Sequence, residues 1–194
     1  MTKPRSRRTF MTAGLAFATL AFGGGFAGGL ATAQPALEVR GEFRLTAPDG
    51  RIVTKADLAG KVSLVFFGFM HCPDVCPTTL LEFAQLMKAL GPKADRVNVV
   101  FISVDPERDK PGALGEFVGS FDKRILGLTG DRAAVDAAIE SFHAVAEKRP
   151  QGDSYAMTHS TGVYTFDGAG KFLGFLPMEG GPKAAAEKLA PLLG

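Results

Sequence analysis

The sequence predicts an α/β domain: a mixed sheet flanked by helices, with an added N-terminal hairpin. Three observations predict it. Val62 to Phe69 is an unbroken apolar run rich in Val and Phe, without the alternation of a half-exposed strand, and so reads as a central strand covered on both faces. Val97 to Val104 repeats the pattern after an intervening helix-like stretch. Near the C-terminus, Thr161 to Phe166 and Phe172 to Leu176 flank Asp167-Gly168-Ala169-Gly170, a hairpin signature. Strand–helix–strand units imply right-handed crossovers and parallel pairing, and the late hairpin adds antiparallel strands.

The chain has 194 residues, 46% of them hydrophobic, enough for one compact core. Residues 1–33 read as an export signal. Lys3, Arg5, Arg7 and Arg8 form a basic start, Ala13 to Leu30 is apolar and small, and Ala31-Thr32-Ala33 is an A-x-A cleavage site. Ser6-Arg7-Arg8-Thr9-Phe10-Met11 resembles a twin-arginine export signal. Retained, the same segment has about the length of a membrane anchor. The remainder, 34–194, is then one domain in the periplasm, either soluble or tethered to the inner membrane. Four of the 22 basic residues and none of the 20 acids lie in the leader, which leaves 18 against 20, a net charge of −2. That domain has no basic field to attract nucleic acid.

From the new start, Glu38 to Leu45 and Arg51 to Val53 read as two strands around the turn Ala47-Pro48-Asp49-Gly50. Thr54 to Ala59 is a short helical turn ended by Gly60. After the central strand, Pro77 to Leu90 places Leu80, Phe83, Ala84, Met87 and Leu90 on one helical face, Pro77 suits the first turn, and Gly91-Pro92 ends the helix. Ala113 to Phe121 is helical and Ile125 to Leu128 a short strand. Asp131 caps a helix that turns Val135, Ala138, Ile139 and Phe142 inward. Ala144 to Lys148 reads as a strand, Pro150 to Tyr155 as polar loop, and Pro182 to Ala190 as the last helix.

Both cysteines of the chain, Cys72 and Cys76, lie between the central strand and its helix. A thiol motif there is the thioredoxin-like arrangement. A disulfide over so short a loop constrains the unfolded chain little, so the pair reads as working thiols and not as a staple. Four residues on a helix rise about 6 Å, within reach of disulfide geometry, and a helix N-terminus favours thiolate over thiol. Two thiolates suit Cu(I) or another soft ion, and a mononuclear site wants a third donor. Of the three histidines, His71 reads as a loop residue with a backbone partner and His143 as a surface or capping residue. His159 approaches the motif in a thioredoxin-like fold, although a loop histidine taken alone is more often no ligand. Asp74 reads as an outer acid or a helix cap, Met70 as packing, and Asp105 to Asp109 as a loop and helix start.

The segments Phe67-Gly68-Phe69, His71-Cys72-Pro73-Asp74-Val75-Cys76-Pro77, Phe101-Ile102-Ser103-Val104-Asp105-Pro106-Glu107-Arg108-Asp109, Gly127-Leu128-Thr129-Gly130 and His159-Ser160 together resemble the SCO/SenC family of copper chaperones. The resemblance implies a thioredoxin-like fold, copper, as Cu(I) or Cu(II), bound by Cys72, Cys76 and His159, and a role in building the CuA centre of cytochrome c oxidase. It implies as partners the CuA-bearing subunit or another periplasmic copper protein, an upstream copper donor and a thiol reductant. Thr158 departs from the family, whose members often carry Asp before this histidine, and a carboxylate lost there would bear on histidine orientation. The alternative is a thiol–disulfide oxidoreductase, with Cys72 and Cys76 as a redox-active disulfide that reduces the cysteines of the CuA-bearing subunit. The C-x-x-x-C spacing, the lack of Trp and the lack of proline around Thr158-His159-Ser160 set the chain apart from ordinary thioredoxins. A peroxidase ranks last, because the residues ahead of Cys72 lack the threonine and arginine pattern of that chemistry.

Overall fold

The computed structural model describes residues 38–194, so the export signal or anchor read at 1–33 lies outside the described residues. Among the described residues, nine strands and four α-helices follow in order: β1 Arg44–Thr46, β2 Ile52–Thr54, β3 Val62–Gly68, α1 Val75–Leu90, β4 Val97–Ser103, α2 Pro111–Gly119, β5 Ile125–Leu128, α3 Arg132–Ser141, β6 Ala146–Gln151, β7 Ser154–His159, β8 Val163–Phe166, β9 Phe172–Leu176 and α4 Gly181–Leu189. Five strands form the central sheet in the order β5-β4-β3-β8-β9. β3, β4 and β5 run parallel, and β8 and β9 join antiparallel, as the crossover and hairpin patterns predict. β1 and β2 make the separate N-terminal hairpin.

Every residue of β3 is buried. Side chains along a strand alternate between faces, so adjacent phenylalanines at 66 and 67 serve two layers. Phe66 meets Phe83 of α1 edge-on at 6.2 Å and Phe101 of β4 at 6.0 Å. Phe67 meets Phe142, just past α3, at 5.1 Å and Tyr164 of β8 at 5.8 Å. Burying each ring contributes roughly 1.5–3 kcal/mol, which explains why β3 tolerates no polar alternation.

α1 begins two residues before Pro77, so Cys76 lies within the helix and is buried along with Leu80, Phe83, Met87 and Leu90. The Asp131 carboxylate caps α3 by accepting from the Ala134 amide at 2.7 Å, as its place in the sequence predicts. Among the described residues no helix is long and apolar enough to cross a membrane.

Two element readings are corrected. The strand read from Glu38 to Leu45 forms no ladder over residues 38–43, and only Arg44–Thr46 pairs, as β1. Pro150 to Tyr155 is not loop: β6 and β7 pair antiparallel from Ala146↔His159 to Gln151↔Ser154. Gly152, with φ of 58°, supplies the positive φ of the two-residue turn. β6 is almost wholly exposed, so it carries no buried apolar face and hence no alternation to read. This hairpin forms no ladder with the central sheet.

Gly68 closes β3 at the place where α1 crosses. A Cβ there would lie 2.7 Å from the Phe101 ring and 2.8 Å from Cys76 Sγ. Gly68→Ala is expected to lower unfolding free energy by roughly 1–3 kcal/mol through overpacking, read from urea denaturation.

Candidate metal centre

The end of β3 and the first turn of α1 bring the two cysteines together, and β7 brings His159 to them. One ligand atom from each of Cys72, Cys76 and His159 lies within 4.8 Å of the others. Both thiols are free; Cys72 is half-buried and Cys76 buried. His159 Nε2 stands 3.5 Å from Cys76 Sγ.

The histidine is oriented by backbone and rings. Its Nδ1 lies 2.9 Å from the Ser160 carbonyl. A carbonyl only accepts, so Nδ1 carries a proton and, in the neutral ring, Nε2 turns its lone pair toward the thiols. Phe66 and Phe69 hold the imidazole edge-to-face, with centroids at 6.0 and 5.7 Å. Thr158 is exposed, on the opposite face of β7 from His159. The missing carboxylate at 158 therefore leaves the histidine's own orienting bond intact.

The two cysteines differ electrostatically. Burial above all pushes the Cys76 thiol well up from its ordinary value, and the neighbouring Cys72 adds to this; a hydrogen bond from the Phe69 backbone works the other way. At Cys76 desolvation thus works against the preference for thiolate that a helix N-terminus gives. The protonated Cys76 sulfur can donate to His159 Nε2 while no metal is held.

Sequence reasoning missed the acids beneath the loop. Asp105 and Asp109 are both fully buried. Asp109 Oδ2 accepts from the Met70 amide at 3.0 Å and the Ser103 hydroxyl at 2.7 Å, tying the cysteine loop to the end of β4. The segment is thus a support for the site and not only a loop and helix start. Met70 itself packs partly buried against the core, as expected. Asp105 accepts from Tyr155 Oη at 2.8 Å and pairs with Arg108. Burial, then Asp105, pushes the Tyr155 phenol up to about 12, so it stays a donor. The signal lay in Ser103-Val104-Asp105-Pro106-Glu107-Arg108-Asp109, but nothing in a string of acids announces that two of them are buried. His71 is half-exposed, and its partner is the Asp109 carboxylate at 3.7 Å, not a backbone group. His143 is exposed at the left-handed position that ends α3, a capping residue away from the cysteines. Asp74 precedes α1 without making a side-chain cap bond.

Comparison with known proteins agrees with this geometry. The SCO1/SenC family profile matches residues 31–194. The chain belongs to the SCO1/SenC family. It is 35% identical to protein SenC of Rhodobacter capsulatus over 163 residues, 84% of this chain and 74% of that one. It is 33% identical to a SCO2-like protein of Rickettsia felis, over 79% of this chain and 76% of that one. Among solved structures, Bradyrhizobium japonicum ScoI with copper bound superposes with a TM-score of 0.75 at 42% identity, covering 78% of this chain and 98% of that one. BsSco, a Sco family protein described as having a disulfide switch, superposes at 0.64 with 26% identity, covering 82% and 96%. The α/β fold of this SCO1/SenC chain is thus thioredoxin-like, and its Cys2His group has the donor chemistry of a soft-metal site.

Burial raises the Asp109 carboxyl above its ordinary range, against the bonds from Ser103 and Met70. A raised folded pKa contributes stability only at acid pH, and that contribution is lost as pH rises through the folded value. At neutral pH the buried charge therefore costs stability. Asp109→Asn, which keeps an acceptor for Met70 and Ser103, is expected to match or exceed the native protein at pH 7, with the gap closing below the ordinary carboxylate value. Asp109→Ala is expected to cost roughly 1–3 kcal/mol by orphaning both donors. Urea unfolding across pH reads both.

Proposed function

We propose that this chain is an exported metallochaperone that binds copper through Cys72, Cys76 and His159 and passes it to the CuA-bearing subunit of cytochrome c oxidase. The observation that carries the reading is the convergence of two thiols and one imidazole within 4.8 Å. Copper in ScoI of Bradyrhizobium japonicum, and the description of BsSco as a cytochrome c oxidase assembly protein, support it. The leader read at 1–33 supports a periplasmic site of action, with the domain at 34–194 either freed by cleavage or held at the membrane.

Thiolates and imidazole favour Cu(I), and a Cys2His set also accommodates Cu(II) with an added ligand. Half-exposed Cys72 is the natural point of entry for a partner's thiolate. Copper passes from an upstream donor, and later to the acceptor, by stepwise replacement of one thiolate with another, with no change in the metal's charge. Loading displaces the Cys76 proton. His159, already held by Ser160 through Nδ1, binds through Nε2 without reorientation.

The unequal burial of the thiols favours a second reading, thiol–disulfide exchange. The Cys72 thiolate attacks a partner's disulfide, Cys76 resolves the mixed disulfide, and two electrons pass to the partner, leaving Cys72 and Cys76 oxidised. A thiol reductant would restore the pair. Reduction that survives His159→Ala would separate this reading from copper delivery.

Cu(II) titration of the reduced protein, followed by ultraviolet–visible and electron spin resonance spectra, tests the proposal, with Cu(I) uptake read by competition against a chelator. One copper per chain is expected, with thiolate charge-transfer bands lost in Cys72→Ser and Cys76→Ser and nitrogen coupling lost in His159→Ala. A reduced protein that takes up no copper, together with a His159→Ala spectrum identical to the native one, sinks the reading. Because the folded site keeps Cys76 protonated, metal binding must release its proton. Apparent affinity is expected to rise with pH, by up to about tenfold per unit for each proton displaced, in titrations between pH 6 and 8.

A further inference from the structure

The β6–β7 hairpin carries His159 yet shares no hydrogen-bond ladder with the central sheet. At its base the Ser160 amide donates to the Val145 carbonyl at 3.0 Å, and the Val145 amide donates to Ser160 Oγ at 2.8 Å. These bonds close the hairpin but do not set how β7 is turned. Tyr155, Met157 and His159 alternate onto one face of β7, and Met157 is buried. Whatever turns that face at Tyr155 turns it at His159.

Arg108, on the loop after β4, meets this face at Tyr155. Its guanidinium lies 3.9 Å from the centroid of the Tyr155 ring and 5.9 Å from that of Phe69. Nη1 donates to the Tyr155 carbonyl at 3.1 Å, and Nε pairs with buried Asp105, which also accepts the Tyr155 hydroxyl. Phe69 in turn holds the His159 ring. The planar cation thus touches the strand that carries the histidine and the residue that leads into the cysteine loop. Its Nη2 is buried without a hydrogen-bond partner among the described residues.

We propose that Arg108, seated on Asp105 and gripped by Tyr155 and Phe69, is the positioning residue that keeps the inner face of β7 turned to the cysteines and so presents His159 Nε2 to the metal. This rests on the copper reading for its purpose, but not for its geometry. A guanidinium fills the role because it lies over a ring and forks at once; an ammonium, such as that of Lys148 over the same Tyr155 ring at 4.7 Å, cannot fork. The same arrangement makes the third ligand detachable: loosening the grip frees the hairpin while both thiolates stay in place.

The test uses Arg108→Lys, which keeps a cation beside Asp105, and Tyr155→Leu, which removes the ring and hydroxyl. Glu147→Gln serves as the control, since the exposed Arg149–Glu147 pair joins two β6 residues outside the grip. In the reduced, metal-free protein, amide exchange over residues 154–159 is expected to quicken by about tenfold or more in the first two variants, with α1 unchanged. Copper is expected to be held about 10- to 100-fold more weakly, with the imidazole nitrogen coupling diminished. Unchanged hairpin exchange in both variants overturns the proposal. So does a loosened hairpin whose copper affinity and nitrogen coupling match the native protein. If the native protein itself takes up no copper, the functional reading falls, and the exchange measurement still decides whether Arg108 holds the hairpin.

Discussion

The site depends on a close approach of helix to sheet at Gly68. Cys76 is the second residue of α1, and its sulfur sits over the end of β3 where the main chain presents no Cβ. That contact lets α1 start low against the sheet and keeps Cys76 in the dry interior, while Cys72, one turn earlier and outside the helix, stays half in solvent. Unequal burial then separates the thiols chemically. One is reachable and exchangeable, and the other is a desolvated sulfur that gives up its proton only to something that replaces it. A carrier of a soft metal needs both properties, because cargo must enter and leave through one ligand and be retained by the others.

The acidic segment after β4 organises the surroundings. Asp109 ties the cysteine loop to β4 through the Met70 amide and Ser103, and Asp105 seats Arg108 against the hairpin. Two buried carboxylates within five residues are costly unless they are bonded, and each is bonded to an element of the site. Neither touches the metal position in the described geometry. Their contribution is to convert a flexible loop and a detached hairpin into a preorganised set of three donors.

The sheet was legible because β3, β4, β5 and β8 are buried on both faces and its helices carry a clear apolar stripe. β3, β4, α1, α3 and the β8–β9 hairpin fall where the periodicity puts them, within a residue or two. β6–β7 was not legible: β6 is almost wholly exposed and β7 buries only Met157, so hydrophobicity carries little trace of their pairing, and the turn glycine at 152 is one of many glycines in the chain. The burial of Cys76 was not legible either. A helix N-terminus next to a thiol suggests thiolate, but the sulfur's depth under β3 is a tertiary quantity that no local spacing encodes. Thr158 illustrates the converse. A departure that looks adjacent to the histidine in sequence lies on the other side of the strand.

The sequence by itself determined the class of the fold, because apolar periodicity is a local fact, and it singled out Cys72 and Cys76 by their place between strand and helix and His159 through the family resemblance. Only the tertiary structure decided how those donors are held, since burial, orientation and partnership arise between residues far apart in the chain. Cys76 is buried where α1 crosses the end of β3, His159 is oriented by Ser160, by Phe66 of β3 and by Phe69 just past it, and Arg108 reaches a hairpin some 50 residues later through contacts that form only on folding.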